Sequence, residues 1–148
     1  MRYEHTQIGY LIIFVLFAAT VFVAITGIAA PSDRGVLMMD GIIESILLIC
    51  AIIFSKLTIK VDKETLQACF GIGLIRKKVL LPEIVEWEPI RIRWWYGWGI
   101  HLTPYGWLYN VSGLDAVAIT LRDGRRFALG TDDPQGLVDA IQRFRSAD

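Results

Sequence analysis

The stretch that decides the fold runs from Ile8 to Ala30 and reads IGYLIIFVLFAATVFVAITGIAA. None of its 23 residues is charged. At a rise of about 1.5 Å per residue, roughly 20 helical residues cross a bilayer core about 30 Å thick. The run is longer than the roughly 7–15 apolar residues of a signal peptide, and Pro31 directly after it is a poor cleavage context. We therefore predict an uncleaved transmembrane helix.

A second apolar run follows, from about Val36 to Phe54 or Leu57. The residues between the two runs, 31–35 (PSDRG), are turn and helix-breaking residues, so the two helices are expected to be antiparallel neighbours. Because backbone polar groups in lipid must be bonded internally, a helical hairpin is the form that such a pair can take. We assign residues 1–55 to a transmembrane hairpin.

Two acidic residues, Asp40 and Glu44, lie within the second run. Their spacing of four places both carboxylates on one helix face, and an ionisable group at membrane depth is by default a functional candidate. If the helix instead begins near Gly41, Asp40 lies at the interface. In a hairpin centred near Asp33, Thr26 falls opposite Asp40, and its hydroxyl can partly satisfy the carboxylate. We predict an intramembrane polar contact, either structural or with another subunit, with an ion or proton role as the alternative.

Basic residues near the ends of the two runs predict the orientation. Arg2 precedes the first helix, and Lys56 and Lys60 follow the second, against a lone Arg34 in the connecting loop. Because basic residues accumulate on the cytoplasmic side of membrane helices, both termini are expected in the cytoplasm.

The composition changes at Lys56, and residues 56–148 are long enough for one small domain with a single core. This part holds 13 basic and 11 acidic residues, so it lacks the strongly basic balance of a nucleic-acid-binding protein. The two cysteines, Cys50 and Cys69, form no disulfide pattern, which fits a reducing cytoplasm.

Short runs that alternate apolar and polar residues and end at turn residues predict a mainly-β domain. The predicted strands cover residues 57–61, 66–70, 74–81, 84–92, 99–103, 106–111 and 117–121, with a return strand through Phe127 and Leu129. Asp123-Gly124 is a strong hairpin turn signal. An amphipathic helix follows, capped by Asp132 or Asp133 and burying Leu137, Ile141 and Phe144. About seven strands and one helix predict a strongly bent sheet or partial barrel with the helix over an open end.

Five segments carry a resemblance to a known family. They are residues 95–100 (WYGWGI), 108–113 (LYNVSG), 116–117 (AV), 123–126 (DGRR) and 130–134 (GTDDP). In these segments, and in the preceding hairpin, the chain resembles small bacterial membrane proteins with a pleckstrin-homology-like (PH-like) domain, over roughly residues 56–145. The resemblance implies a cytoplasmic PH-like domain at 56–148, with two antiparallel sheets and a C-terminal capping helix, in the bacterial inner membrane.

The resemblance implies a binding or oligomerising module and supplies no catalytic residues. Phosphoinositide-binding PH domains carry a basic cluster on the first hairpin, whereas residues 62–65 here read DKET. We therefore expect membrane lipid and a protein partner or self-association, without inositol phosphate.

All five tryptophans lie between Trp87 and Trp107. Trp, Tyr and Arg are enriched both at membrane interfaces and at protein hot spots. The residues predicted to form a partner or membrane surface are Arg91, Arg93, Trp94, Trp95, Tyr96 and Trp98. Strand alternation predicts that Trp87 and Trp107 are instead part of the core.

A basic patch follows the second helix. Its members are Lys56, Lys60, Arg76, Lys77 and Lys78. Basic residues beside a transmembrane end gain about 1 kcal/mol each from anionic lipid, so we predict an anionic-lipid anchor, for which the positive-inside role is a sufficient explanation.

The chain shows no motif for catalysis, metal or cofactor binding. His5 and His101 are far apart in sequence, and the glycines of 71–73 and 97–99 open no helix. We predict a membrane-anchored binding or scaffolding protein that is not an enzyme and uses no cofactor. The alternative is a lipid-surface sensor or an accessory subunit of a larger transporter or envelope enzyme.

Overall fold

The computed structural model of the chain describes residues 3–29 and 34–146. Over these residues the chain forms nine strands and three α-helices. In chain order they are β1 (Tyr3–Ile8), α1 (Tyr10–Ala29), α2 (Arg34–Phe54), β2 (Lys56–Val61), β3 (Thr65–Phe70), β4 (Ile75–Leu80), β5 (Ile84–Arg91), β6 (Gly99–Thr103), β7 (Gly106–Asn110), β8 (Asp115–Leu121), β9 (Arg126–Gly130) and α3 (Pro134–Arg145). Short 3-10 turns at Leu81–Glu83 and Trp94–Tyr96 precede β5 and β6.

The helices α1 and α2 form the predicted hairpin, with 20 and 21 residues. The alternative start near Gly41 is wrong, because α2 begins at Arg34 and Asp40 lies in its second turn. Leu37, Met38 and Met39 are strong helix formers, which favours a helix that begins before Gly41. Of the predicted loop, residues 31–33 lie outside the described residues.

The first sheet has the order β1-β2-β3-β4 and is antiparallel throughout. β1 pairs with β2 from Tyr3 opposite Val61 to Ile8 opposite Lys56. The pairing continues one step further, where the backbone N–H of Gly9 donates to the carbonyl of Ser55 at 2.8 Å. The helical hairpin is therefore inserted between two paired neighbouring strands.

The second sheet has the order β5-β8-β9-β7-β6. Its pairs are antiparallel except β7 with β9, which are parallel. The prediction of about seven antiparallel strands is therefore wrong in number and in this pair. β8 lies two strands away from β7 in the sheet, and β9 runs back from β8 into the position between them. This return makes β9 parallel to β7.

The core lies between the sheets and is closed by α3. The side-chain carboxylate of Asp133 accepts the N–H of Gly136 at 3.0 Å, which makes Asp133 the N-cap. Leu137, Ile141 and Phe144 are buried, as predicted. The Asp123-Gly124 hairpin is also confirmed, with Gly124 at φ +83° in the left-handed region.

The hairpin packs directly on the β domain. The rings of Phe54, at the end of α2, and Phe70, at the end of β3, have centroids 5.7 Å apart. Ile12 and Ile53 also contact the core cluster of the sheets. The apolar interior of the β domain thus continues into the hairpin, and this contact positions the surfaces described next.

Candidate binding surface beside the helical hairpin

Residues 93–98 form a loop between β5 and β6, here called the aromatic loop. Trp94 and Trp95 are 70% and 56% exposed, although indole rings are usually at least partly buried. The guanidinium carbon of Arg93 lies 4.9 Å from the ring centroid of Trp95, which is a cation–π contact. Ring centroids are 5.9 Å apart between Trp94 and Trp95, and 6.3 Å between Trp95 and Tyr96. The loop therefore presents an ordered aromatic and cationic surface.

Two glycines shape the end of this loop and bring it to the hairpin. Gly97 and Gly99 have φ values of +70° and +107°, which favour glycine. A Cβ placed on Gly99 would lie 3.9 Å from the ring of Phe54, so the loop ends beside the last turn of α2. Trp98 is half-buried, and its indole nitrogen has no hydrogen-bond partner in residues 3–29 and 34–146.

The predicted members of the surface are distributed unevenly. Arg91 is exposed at the end of β5, opposite Asp115. Tyr96 and Trp98 are half-buried, so Trp94 and Trp95 supply most of the exposed aromatic area.

The prediction that Trp107 is part of the core is wrong. Trp107 is 51% exposed, although it points to the same side of the second sheet as the buried Phe127. It lies near the end of β7 farthest from the hairpin, opposite Leu102, which is itself exposed. Trp87 is half-buried against the core, and the guanidinium of Arg145 lies 5.1 Å from its ring centroid.

The basic patch is divided between two faces of the first sheet. Lys56, Arg76 and Lys78 are exposed on the outer face. Lys60 shares that face and forms an ion pair with Glu4 at 2.8 Å. The expectation that Lys77 belongs to the same patch is wrong, because strand alternation turns it inward, with its ammonium 5.1 Å from the Phe127 ring centroid.

Asp40 lies against a glycine of the facing helix. A Cβ on Gly27 would lie 2.8 Å from Asp40 Oδ2, so the carboxylate occupies the space that a side chain there would fill. This oxygen is buried and has no hydrogen-bond partner within the described part of the hairpin. The expected contact between Thr26 and Asp40 is wrong, because Gly27 and not Thr26 lies against Asp40. The Thr26 hydroxyl instead donates to the Val23 carbonyl at 2.7 Å. Glu44 is half-buried on the same helix.

The strand β1 was not predicted, and it ties the N-terminal segment to α3. The Tyr3 hydroxyl donates to Asp133 at 3.1 Å, and the His5 ring bonds Asp132. Burial raises the pKa of Tyr3 well above its ordinary value, and the Asp133 hydrogen bond adds to this. In the sequence YEHTQI both faces of the strand carry polar residues, so no apolar alternation marks it.

The strands predicted over 66–70 and 74–81 already imply the β3–β4 turn, residues 71–74, but the exposure of its apolar side chains was not predicted. Ile72 and Leu74 are 70% and 67% exposed. The sequence signal was an apolar residue between two glycines, where turn residues are usually polar.

Open grooves lie on the outer faces of the two sheets of the β domain. One, of about 510 Å³, lies on the outer face of the first sheet and is lined by Lys56, Lys60 and Arg76 among others. Another, of about 450 Å³, lies on the outer face of β5 and β8 beside Trp87. Among the residues that the structure describes, no group of three His, Cys, Asp or Glu side chains could hold a metal ion.

Comparison with protein-family models, curated proteins and solved structures finds no match for this chain.

Proposed function

We propose that this chain is a membrane-anchored binding and scaffolding protein, which holds a PH-like β domain against the cytoplasmic face of a bacterial inner membrane. The observation that carries the proposal is the exposed Trp94–Trp95 pair with Arg93 stacked on it, held beside the end of the hairpin. Large rigid aromatic side chains and arginine are the residues that dominate protein–protein hot spots.

Membrane crossing is supported by the length and composition of the helices. Stretches of 18 residues in α1 and α2 have mean hydropathies of 2.8 and 2.4, and no residue of either helix is buried within the chain. At about 1.5 Å per residue, each helix reaches about 30 Å, which matches the hydrocarbon core. Their exposed apolar side chains are therefore available to lipid.

The pairing of β1 with β2 supports the placement of β1 and the β domain on the same side of the membrane. Because these strands are joined by backbone hydrogen bonds, residues 3–8 and the β domain share one face of any bilayer that the hairpin crosses. We place that face in the cytoplasm by the positive-inside rule, with Lys56 and Lys60 at its surface. Arg2, which also entered the orientation prediction, lies outside the described residues.

We propose binding rather than catalysis, without cofactor or inositol phosphate. The two-sheet architecture closed by α3 is consistent with a PH-like domain. A domain held rigidly at the membrane meets its partner at high effective concentration, so a small aromatic surface is sufficient for association. A partner in the same membrane can touch the aromatic loop and the hairpin together.

The oligomeric state of the full-length protein tests this proposal. In mild detergent, the wild-type chain is expected to form a defined oligomer, and Trp94→Ala/Trp95→Ala is expected to weaken its association at least tenfold. Analytical ultracentrifugation across a concentration series measures both. Leu102→Ala is the matched control, because Leu102 is 71% exposed but lies at the far end of β6. An oligomer equally stable in all three proteins would contradict the role of the aromatic loop.

The second candidate is an accessory subunit of a larger membrane protein. Asp40 Oδ2, which lacks a hydrogen-bond partner among the described residues, favours it, because buried oxygens at membrane depth usually have a polar partner. A monomeric wild-type chain whose level in native membranes falls in Asp40→Ala, but not in Ser45→Ala, would favour this function over self-association. Ser45 is a control because its hydroxyl bonds the Gly41 carbonyl of its own helix.

A further inference from the structure

The β3–β4 turn is pressed against the end of α2. The N–H of Gly71 donates to the carbonyl of Lys56 at 2.8 Å. A Cβ on Gly71 would lie 2.2 Å from the carbonyl oxygen of Ile52 and 2.6 Å from that of Ile53. The φ of Gly71 is +52°, so glycine is required here by conformation and by space. The turn therefore lies at the same membrane depth as the last residues of α2.

The polarity of the two turns of the first sheet follows their distance from the hairpin. At the distal end, the β2–β3 turn carries Asp62, Lys63 and Glu64. At the hairpin end, the β3–β4 turn exposes Ile72 and Leu74 instead. Exposed aliphatic residues at a turn tip are unfavourable in water and favourable in the acyl region of a bilayer.

Two basic residues lie directly above this apolar turn. Lys56 is the first residue of β2. Arg76 pairs with Cys69, which in turn pairs with Thr58, so Arg76 has the same height in the sheet as Thr58. At about 3.3 Å per residue, Arg76 is about 7 Å farther from the hairpin than Lys56. The polar region of each leaflet is roughly 5–8 Å deep, so both residues lie at headgroup level. Lys78 is two residues farther along β4, about 7 Å beyond Arg76.

We propose that Lys56 and Arg76 bind the phosphate of an anionic phospholipid, while Ile72 and Leu74 sit among its acyl chains. Arg76 Nε donates to the Gly73 carbonyl at 2.5 Å, which holds its guanidinium over the turn. Both basic residues line the open groove on the outer face of the sheet, which admits a headgroup from the membrane end. The site is at the opposite end of the sheet from the loop of residues 62–65.

This inference rests on the proposed membrane crossing, and a depth measurement in nanodiscs tests both. The full-length chain, with Cys50→Ala and Cys69→Ser, receives a single cysteine labelled with an environment-sensitive fluorophore. Ile72→Cys reports on the turn, Leu48→Cys on α2, and Leu102→Cys on the distal end of the β domain. Phosphatidylcholine nanodiscs contain a low fraction of either brominated phosphatidylcholine or brominated phosphatidylglycerol as quencher.

We expect the probes at positions 48 and 72 to be quenched and the probe at 102 to remain unquenched. At position 72, brominated phosphatidylglycerol is expected to quench several-fold more than brominated phosphatidylcholine at equal fraction. Removing either basic residue should weaken that preference, and Lys56→Ala/Arg76→Ala is expected to abolish it, because both residues attract anionic lipid. Lys78→Ala is the matched control and should retain the preference.

The possible outcomes test membrane crossing, insertion of the β3–β4 turn and the phosphate site separately. An unquenched probe at position 48 would overturn membrane crossing itself. Quenching at 48 without quenching at 72 would overturn insertion of the turn and leave the anchored scaffold intact. Equal quenching at 72 by the two lipids, or a preference that survives the double variant, would overturn the phosphate site.

Discussion

At the scale of single residues, several glycines in this chain lie where another segment approaches the backbone too closely for a side chain. Gly27 and Gly41 are both glycines of the hairpin, and they differ in what surrounds them. A Cβ on Gly27 would lie 2.8 Å from Asp40 Oδ2, whereas one on Gly41 would have nothing within 4 Å. This pair tests whether the carboxylate lies against the facing helix.

We predict that Gly27→Ala destabilises the chain by about 1 kcal/mol, because the carboxylate must rotate away from its position. Gly41→Ala should not be destabilising, since alanine has the higher helix propensity. Asp40→Ala should remove the penalty in the double variant. Thermal unfolding in detergent compares the wild-type chain with these four variants, and strictly additive effects of Gly27→Ala and Asp40→Ala would show that these two residues do not touch.

At the scale of elements, β1 belongs to the β domain although it precedes the hairpin in sequence. A fragment that begins at Lys56 would lack this strand and leave β2 without its partner along six residue pairs. Unpaired edge strands promote association between chains. The Gly9–Ser55 hydrogen bond shows where the hairpin can be removed without this loss.

We predict that replacing residues 10–54 with Asn-Gly yields a β domain that unfolds cooperatively, because a two-residue turn closes the β1–β2 hairpin. Residues 56–148 alone should aggregate or unfold without a cooperative transition. Urea unfolding followed by tryptophan emission compares them. If the shorter fragment is equally cooperative, β1 is dispensable for folding.

Elements that a local sequence pattern marks were predictable, whereas those that depend on which strands lie next to each other were not. The hairpin, the Asp123-Gly124 turn and the Asp133-capped helix each follow from a local pattern. β1 has no apolar alternation, and the parallel β7–β9 pair depends on where β8 lies. The exposure of Trp107 likewise depends on its tertiary position near the far end of β7, which no local pattern encodes.

At the scale of the whole molecule, strand pairing determines which parts share a side of any membrane that the hairpin crosses. β1 and α3 are in contact through Tyr3 and Asp133, although 130 residues separate them. The start of α2 is at the other end of the hairpin. Positions on these elements can therefore be assigned to sides independently of any fold family.

We predict that cysteines introduced at Thr6 and Arg143 react together with an impermeant maleimide in inverted membrane vesicles and remain unreactive in spheroplasts. Arg34→Cys, at the opposite end of α2, should show the reverse pattern. All three use the background without Cys50 and Cys69. Opposite labelling of positions 6 and 143 would be incompatible with the β1–β2 pairing.

The insertion of the hairpin between paired strands has a mechanical consequence. A domain joined to the membrane by one strand can swivel about that connection, whereas this domain is held at two adjacent points, Gly9 and Ser55. A change in the tilt of α1 relative to α2 must then either shear β1 along β2 or turn the domain as a rigid lever. Since six backbone pairs resist the shear, we expect that, in the proposed membrane-crossing form, the thickness and curvature of the bilayer change the direction in which Trp94 and Trp95 point.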